Sequence, residues 1–318
     1  MTGGVHLACL GESMVSLAPT PAGPLAAADT LAVRVAGAES NVACYAAAYG
    51  VPTRWVSAVG DDPFGARVRE AVAAHGVEVQ GVRVDPDRPT GLMVKDPAPE
   101  RTRVRYHRTG SAASAMGPEA LDRAWPAEVL HLSGITPALS ASCRELVECA
   151  LRPDRPGLVS FDVNHRPALW PGRRPAELLR SLADRADLVF VGLDEAQALW
   201  GAGVRTAHDV RALLPSPRIL VVKDGAREVT AFQGGEAVVV PALRVAVVEP
   251  VGAGDAFAAG FLSGRHQGLP LQQALRLGHL TAASALRVTG DLGPLVAEAE
   301  RGRLLAADEG TWARAVLD

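Results

Sequence analysis

The sequence predicts a doubly wound α/β fold, in which helices cover both faces of a mostly parallel sheet that carries a small β-sheet lid. Short apolar runs of strand length alternate along the chain with segments of helical pattern, an order typical of a parallel sheet. Two stretches of alternating polar and apolar residues interrupt this order and predict the lid. The chain has 318 residues, so we expect residues 1–318 to form a single α/β domain.

The predicted elements of the main sheet follow one another in a regular order. The first are a buried strand at residues 5–10 and an alanine-rich helix at residues 41–49 that ends at Gly50. A strand at residues 54–59 and a helix at residues 64–75 come next. Further core strands are predicted at residues 129–132, 158–161, 188–191 and 219–222. We expect right-handed crossovers between these strands.

The lid is predicted from segments at about residues 12–36 and 80–109. Proline and glycine turns separate its short alternating pieces, at residues 14–18, 31–35, 82–84, 91–95 and 103–107. Ordinary surface hairpins would give the same pattern, so both interpretations remain open at this stage.

Composition argues against several classes of protein. Although 48% of the residues are hydrophobic, no apolar run approaches the 18 residues that a membrane helix needs. The first ten residues show no signal-peptide pattern, so a cytoplasmic protein is expected. A net charge of −3 gives no sign of nucleic-acid binding. The four cysteines lack metal-binding spacing and are expected to be reduced: Cys9, Cys44, Cys143 and Cys149.

The most informative motif is a glycine loop that leads into a helix, Gly252-Ala253-Gly254-Asp255. Glycines let the backbone approach a ligand, and the free N–H groups of a helix N-terminus attract a phosphate. A carboxylate in such a site suits a general base that takes a proton from an attacking hydroxyl group. The alternative is that Asp255 merely caps the helix. No dinucleotide-binding Gly-x-Gly-x-x-Gly follows the first strand, and no P-loop motif occurs.

Three motifs together resemble the ribokinase-like (PfkB) carbohydrate kinases. They are GAESNVA at residues 37–43, VGDDPFG at residues 59–65, and the late glycine loop with Asp255. Their order and span cover nearly the whole chain. The resemblance implies ATP-dependent phosphorylation of a sugar hydroxyl with Mg²⁺, a β-sheet lid, and a homo-oligomer formed through that lid.

Within this family, the middle of the chain is most similar to the 2-keto-3-deoxygluconate kinases. The matching segments are YHRTGSAASA at residues 106–115, HLSGITPALS at 131–140 and DVNHR at 162–166. Arg166 follows a core strand, and Arg108 lies at the end of the second predicted lid segment. The forked guanidinium group of an arginine suits a carboxylate. Both arginines lie on elements that should face one pocket. A neutral sugar has no need for two guanidinium groups, and an unpaired buried pair would repel, so we expect the pocket to bind the carboxylate of a sugar acid. A surface position is the alternative for Arg166.

The resemblance implies roles for individual residues of this sequence. Met93 stands where the acid-sugar kinases often have a tyrosine, and Gly192 stands where the family has the asparagine of Asn-x-x-Glu. Glu195 is expected to join the Mg²⁺ network, directly or through water, or else to be a solvated residue at a helix start. A helix-capping role is the alternative for Asn41. The implied substrate contacts are Gly37, Asn41, Met93, Tyr106, Arg108, Ile135 and Arg166. The implied ATP contacts are Asn164, Lys223, Gly225, Gly252, Gly254 and His279.

The expected function is transfer of the ATP γ-phosphoryl group to the terminal hydroxyl of 2-keto-3-deoxygluconate. Asp255 is the expected base, and the N–H groups of Gly252, Ala253 and Gly254 are expected to stabilise the transferred phosphoryl group. The alternatives are a kinase for a neutral sugar, such as fructose or ribose, and a sugar-acid sensor that lacks catalysis. The sequence does not separate the gluconate-derived substrate from its galactonate-derived epimer.

Overall fold

The computed structural model describes residues 4–97, 103–172 and 174–317. Their strands are, in chain order, β1 (Leu7–Leu10), β2 (Met14–Pro19), β3 (Leu31–Ala36), β4 (Thr53–Gly60), β5 (Val82–Asp85), β6 (Leu92–Asp96), β7 (Arg103–His107), β8 (Val129–Ser133), β9 (Leu158–Asp162), β10 (Leu188–Gly192), β11 (Ile219–Asp224), β12 (Glu228–Gln233), β13 (Glu236–Pro241), β14 (Arg244–Val245) and β15 (Val316–Leu317). Their α-helices are α1 (Ala38–Ala48), α2 (Pro63–Ala73), α3 (Leu121–Ala124), α4 (Thr136–Leu139), α5 (Ala141–Ala150), α6 (Ala176–Asp184), α7 (Leu193–Trp200), α8 (Ala207–Leu213), α9 (Ala253–His266), α10 (Leu271–Leu286), α11 (Glu298–Leu305) and α12 (Glu309–Arg314).

The main sheet is mostly parallel, as predicted. Its strand order is β13-β12-β11-β10-β9-β8-β1-β4-β5, and β12 pairs antiparallel with both of its neighbours. The strand order reverses between β1 and β8, which is where ligand crevices open in doubly wound sheets. Each predicted core strand is present, and β8, β9, β10 and β11 extend beyond the predicted ends.

Helices cover both faces of this sheet because successive residues of its strands point to opposite sides. In β10, Val189 and Val191 belong to one hydrophobic core, whereas Phe190 belongs to the other. Helices α5, α6 and α7 pack on the first face, and α1, α9 and α10 pack on the second. Within the described ranges, no helix is both long and apolar enough to cross a bilayer. All four cysteines are free thiols.

The predicted lid is a separate four-stranded sheet with the order β3-β2-β6-β7. The prediction that residues 82–84 belong to it is wrong, because β5 pairs in parallel with β4 at the edge of the main sheet. Residues 98–102, which the prediction also placed in the lid, lie outside the described residues. Met14, Ala36 and Met93 form a small apolar cluster on the lid.

Candidate active site

A cleft of about 1040 Å³ lies between the lid and the carboxyl ends of the core strands. Every residue to which the sequence assigned a role lines this cleft. They are Gly37, Asn41, Met93, Tyr106, Arg108, Ile135, Asn164, Arg166, Glu195, Lys223, Gly225, Gly252, Ala253, Gly254, Asp255 and His279. The fold therefore brings together positions that lie more than 200 residues apart in the chain, and their individual roles stay predictions.

Asp255 lies in the first turn of α9 but does not cap it. The N-cap is Gly252, whose φ of 83° lies in the left-handed region that favours glycine. The Asp255 carboxylate accepts instead a hydrogen bond from the side-chain amide of Asn41, at 2.9 Å, and a longer one from Asn164, at 3.5 Å. The capping alternative for Asp255 is therefore wrong.

The N-terminus of α9 has the donors of an anion site. Within the described part of the chain, the amide groups of Gly254 and Asp255 have no hydrogen-bond acceptor. The ammonium group of Lys223 lies 3.4 Å from the point that a Cβ atom on Gly254 would occupy. Free amides at a helix start, next to a buried cation, fit the phosphate groups of a nucleotide.

Burial raises the pKa of Asp255 to about 7. The hydrogen bond from Asn41 and the positive charge of Arg166 lower this pKa, whereas the negative charges of Asp162 and Asp291 raise it. A carboxylate that titrates near neutral pH suits a general base, because it can accept a proton readily and still be ionised in the working enzyme.

Asn41 and Gly37 shape the wall of the cleft next to Asp255. Asn41 lies inside α1, and its amide donates to Asp255 and, at 3.3 Å, to Asp291. The capping alternative for Asn41 is therefore wrong. Gly37 has no room for a side chain, because a Cβ atom would lie 2.2 Å from the hydroxyl oxygen of Ser13.

Arg108 is already paired with a carboxylate inside the protein. Its guanidinium forms a salt bridge with Glu12, which is fully buried and also accepts a 2.6 Å hydrogen bond from Ser111. Its guanidinium carbon lies 5.5 Å from the centre of the Tyr106 ring. Both arginines line the cleft, but the expectation that Arg108 is unpaired there is wrong, because it pairs with Glu12. No sequence pattern indicated this pair, whose members are 96 residues apart.

Arg166 is exposed at the cleft, and no ion pair joins it to another described residue. Its positive charge lowers the pKa of Asp255, Glu195 and Asp291, which places it within electrostatic reach of all three carboxyl groups. It is therefore an available guanidinium that faces the carboxylates of the site.

Glu195 and Asn164 supply oxygen atoms that fit Mg²⁺. Glu195 accepts a 3.0 Å hydrogen bond from the backbone N–H of Gly192. Burial is the largest effect that raises the pKa of Glu195, and the negative charge of Asp162 raises it further. Glu195 lies at the start of α7, as the alternative interpretation has it, but it is partly buried rather than fully solvated. The side-chain oxygen of Asn164 is buried and has no hydrogen-bond partner among the residues that the structure describes, and the backbone of Asn164 has a φ of 36°. A buried unpaired oxygen beside carboxylates suits a hard cation or its water shell.

Lys223 and His279 occupy two further parts of the cleft. Lys223 forms a 2.9 Å salt bridge with Asp162. Burial lowers the pKa of Lys223, but the carboxylates of Asp162 and Glu195 outweigh that effect and raise it overall. Burial lowers the pKa of His279 to about 4, so its ring is neutral, and its Nε2 lies 3.2 Å from the carbonyl oxygen of Val240.

Several polar residues of the cleft were not predicted. They include Glu12, Lys95, Asp162 and Asp291. Glu249 forms a salt bridge with Lys95. One sequence signal could have found Lys95: the chain contains only two lysines, Lys95 and Lys223, among 32 basic residues.

Comparison with known proteins shows the family to which the chain is similar. Residues 5–297 match the model of the pfkB family carbohydrate kinases. The 2-dehydro-3-deoxygluconokinase of Thermoproteus tenax is 35% identical over 314 residues, which cover 95% of each chain. The 2-dehydro-3-deoxygalactonokinase of Haloferax volcanii is 32% identical over 316 residues, covering 96% of this chain and 98% of that protein.

A solved structure supports the fold. An uncharacterized sugar kinase from Pyrococcus horikoshii, in complex with ATP, superposes with a TM-score of 0.81 at 25% identity, over 98% of this chain and 100% of that one. The match to the family model and the identity to the two curated relatives extend over nearly the whole chain. The protein therefore belongs to the pfkB family of carbohydrate kinases.

Proposed function

We propose that the protein transfers the γ-phosphoryl group of ATP to the terminal hydroxyl of 2-keto-3-deoxygluconate, also called 2-dehydro-3-deoxygluconate, to give the 6-phosphate. The observation that carries the sugar-acid assignment is the guanidinium of Arg166, which lines the cleft within electrostatic reach of Asp255 and has no ion-pair partner among the described residues. A substrate carboxylate would provide that partner through two parallel hydrogen bonds. The names of the two curated relatives support the same class of substrate.

The chemistry follows from the contacts of Asp255. The ionised carboxylate takes the proton of the terminal hydroxyl as the hydroxyl oxygen forms its bond to the γ-phosphorus. The bond from that phosphorus to the bridging oxygen breaks, and its electron pair leaves with ADP. Asn41 holds the carboxylate in place through its 2.9 Å hydrogen bond.

The start of α9 would stabilise the charge that develops on the phosphoryl group. The free amides of Gly254 and Asp255 are fixed before the reaction begins, so they need no reorganisation during it. When bound, Mg²⁺ offsets the charge of the ATP phosphates, and Glu195 and Asn164 are the residues that would hold it. The lid strands β6 and β7 would exclude water from the sugar, which limits hydrolysis of ATP.

A kinase for a neutral sugar is the second candidate. The pairing of Arg108 with Glu12 favours it, because this pair leaves one fewer cation for a substrate carboxylate. A sensor without catalysis is disfavoured, because the base and the glycine loop are both intact.

A coupled assay of ADP release tests the proposal. The screen compares 2-keto-3-deoxygluconate and its galactonate-derived epimer with fructose and ribose. We expect the highest kcat/KM on one of the two keto-acids. A higher value on fructose or ribose would leave only the broader sugar-kinase function. Binding of a keto-acid without ADP release would instead support the sensor.

A further inference from the structure

Both lysines of this arginine-rich chain lie at the cleft. Lys223 is next to the glycine loop, where its charge fits a nucleotide phosphate. Lys95 comes from the lid strand β6, and nothing in the proposed reaction uses it. Because nearly all other basic residues of the chain are arginines, the presence of a lysine at this position calls for a physical reason.

The ammonium group of Lys95 connects the lid to the glycine loop. It lies 2.7 Å from a carboxylate oxygen of Glu249 and 3.9 Å from one of Asp291. Glu249 comes three residues before Gly252. The Lys95 side chain is 9% exposed and that of Glu249 is 18% exposed, so water screens this pair only weakly. The salt bridge therefore joins the lid directly to the segment that leads into α9.

Asp291 continues this connection toward the base. Its backbone oxygen would lie 3.1 Å from a Cβ atom on Gly252, and its carboxylate accepts the 3.3 Å hydrogen bond from Asn41. Asn41 also donates to Asp255. Burial raises the pKa of Asp291, and the positive charge of Lys95 counteracts that rise.

We propose that Lys95 is a positioning residue that latches the lid onto the segment before the glycine loop, so that the lid strand above the sugar and the loop amides are held in place together. This inference rests on the proposed phosphoryl transfer to a sugar beneath the lid. Lys95 acts through Glu249 and Asp291 and does not touch the reacting atoms. A compact ammonium can serve two carboxylates that approach from different directions, whereas a planar guanidinium favours one bidentate partner.

The first test is a double-mutant cycle on kcat/KM with Lys95→Met, Glu249→Gln and the double variant. We expect each single change to lower kcat/KM by about 10- to 100-fold, mainly through kcat, because small misplacements of a reacting group are costly. The double variant should be no worse than the more damaging single one, since both remove the same contact. Lys95→Arg should restore part of the loss. Additive losses would mean that Lys95 binds the substrate independently and would overturn the latch.

A matched control separates the latch from the general loss of a buried ion pair. Arg155 and Asp187 form a pair of the same 2.7 Å length, with side chains 14% and 19% exposed. They lie near the amino ends of β9 and β10, at the edge of the sheet away from the cleft. Arg155→Met should leave kcat/KM within about twofold of the parent value, because the pair lies at the opposite ends of the strands from the cleft and its loss leaves the geometry of the site intact.

Hydrogen exchange of the free protein tests the latch without any substrate. Lys95→Met should speed amide exchange by about tenfold in residues 92–96 and 247–254, and Arg155→Met should not change exchange there. Unchanged exchange in Lys95→Met would refute the latch. If no sugar is phosphorylated by the parent protein but exchange still rises, the latch stands and the proposed function fails. Glu249→Gln gives the same readout if Lys95→Met does not fold.

Discussion

Replacing Asp255 by asparagine should abolish most turnover and, at the same time, make the folded protein more stable above neutral pH. The Asn side chain keeps an oxygen that can accept the hydrogen bond from Asn41, but it cannot take a proton. Loss of a general base typically lowers the rate by about 10²- to 10⁴-fold. The gain in stability follows from the burial of the carboxylate.

The size of that gain follows from the pKa of Asp255, which burial raises from 3.8 to about 7. A carboxyl group whose pKa is higher in the folded state favours folding at low pH. That contribution is lost as the pH rises through the folded pKa. A tenfold change in proton affinity corresponds to about 1.4 kcal/mol, so the ionised carboxylate costs the folded protein about 4 kcal/mol above neutral pH. Most of this cost develops between about pH 4 and pH 7.

Urea unfolding of both proteins at about pH 5 and about pH 8 measures this difference. The free energy of unfolding of the Asn variant, minus that of the parent, should grow by about 2.5 kcal/mol between these two pH values. In the parent enzyme, kcat/KM should fall about tenfold for each step of one pH unit below the Asp255 pKa of about 7. An Asn variant that is destabilised equally at both pH values would show that Asp255 serves as a structural acceptor, and near-normal turnover would refute its role as base.

Two further predictions concern the glycine loop and the lid. Gly252→Ala should destabilise the protein by about 1–2 kcal/mol and weaken ATP binding, because its φ is 83° and the new Cβ would lie 3.1 Å from the Asp291 carbonyl oxygen. Gly268→Ala is the matched control, since its φ is 75° and no atom of a described residue beyond its chain neighbours lies within 4 Å of the new Cβ. Its cost in stability should be similar, but ATP binding, measured by calorimetry, should not change. The lid sheet, whose strand β7 carries the partly exposed Tyr106, should pack against the lid of a second copy and bury apolar surface. Sedimentation that shows only a monomer at micromolar concentration would contradict that assembly.

The alternation of strands and helices could be predicted from the sequence, because a core strand that is buried on both faces is a short apolar run. The strand Val82–Asp85 was assigned to the wrong sheet for a physical reason. As the edge strand of the main sheet it has an exposed valine, Val84, and a buried one, Val82, and this alternation is the same as that of a lid strand. Pattern alone does not reveal which neighbour such a strand pairs with.

The candidate site was predicted where a motif fixes the local backbone, as at the glycine loop. It was incomplete where contacts depend on distant segments. The pairing of Glu12 with Arg108, and the link from Lys95 to Glu249, join residues 96 and 154 positions apart. These pairs form only because the fold brings the lid, β1 and the α9 loop to one edge of the sheet. The alternative that Asp255 is a cap was settled by hydrogen bonds that no local spacing encodes.

Recognition of a sugar-acid carboxylate by Arg166 can be decided by measuring kcat/KM of the parent and of Arg166→Ala on 2-keto-3-deoxygluconate and on fructose. Arg166 is exposed in the free protein, but a keto-acid bound beneath the lid would desolvate the charge pair, and truncating one partner of such a pair costs about 2–5 kcal/mol. We therefore predict a loss of about 30-fold or more on the keto-acid and almost no change in any activity on fructose. Equal losses on the two substrates, or a preference of the parent enzyme for fructose, would contradict this recognition.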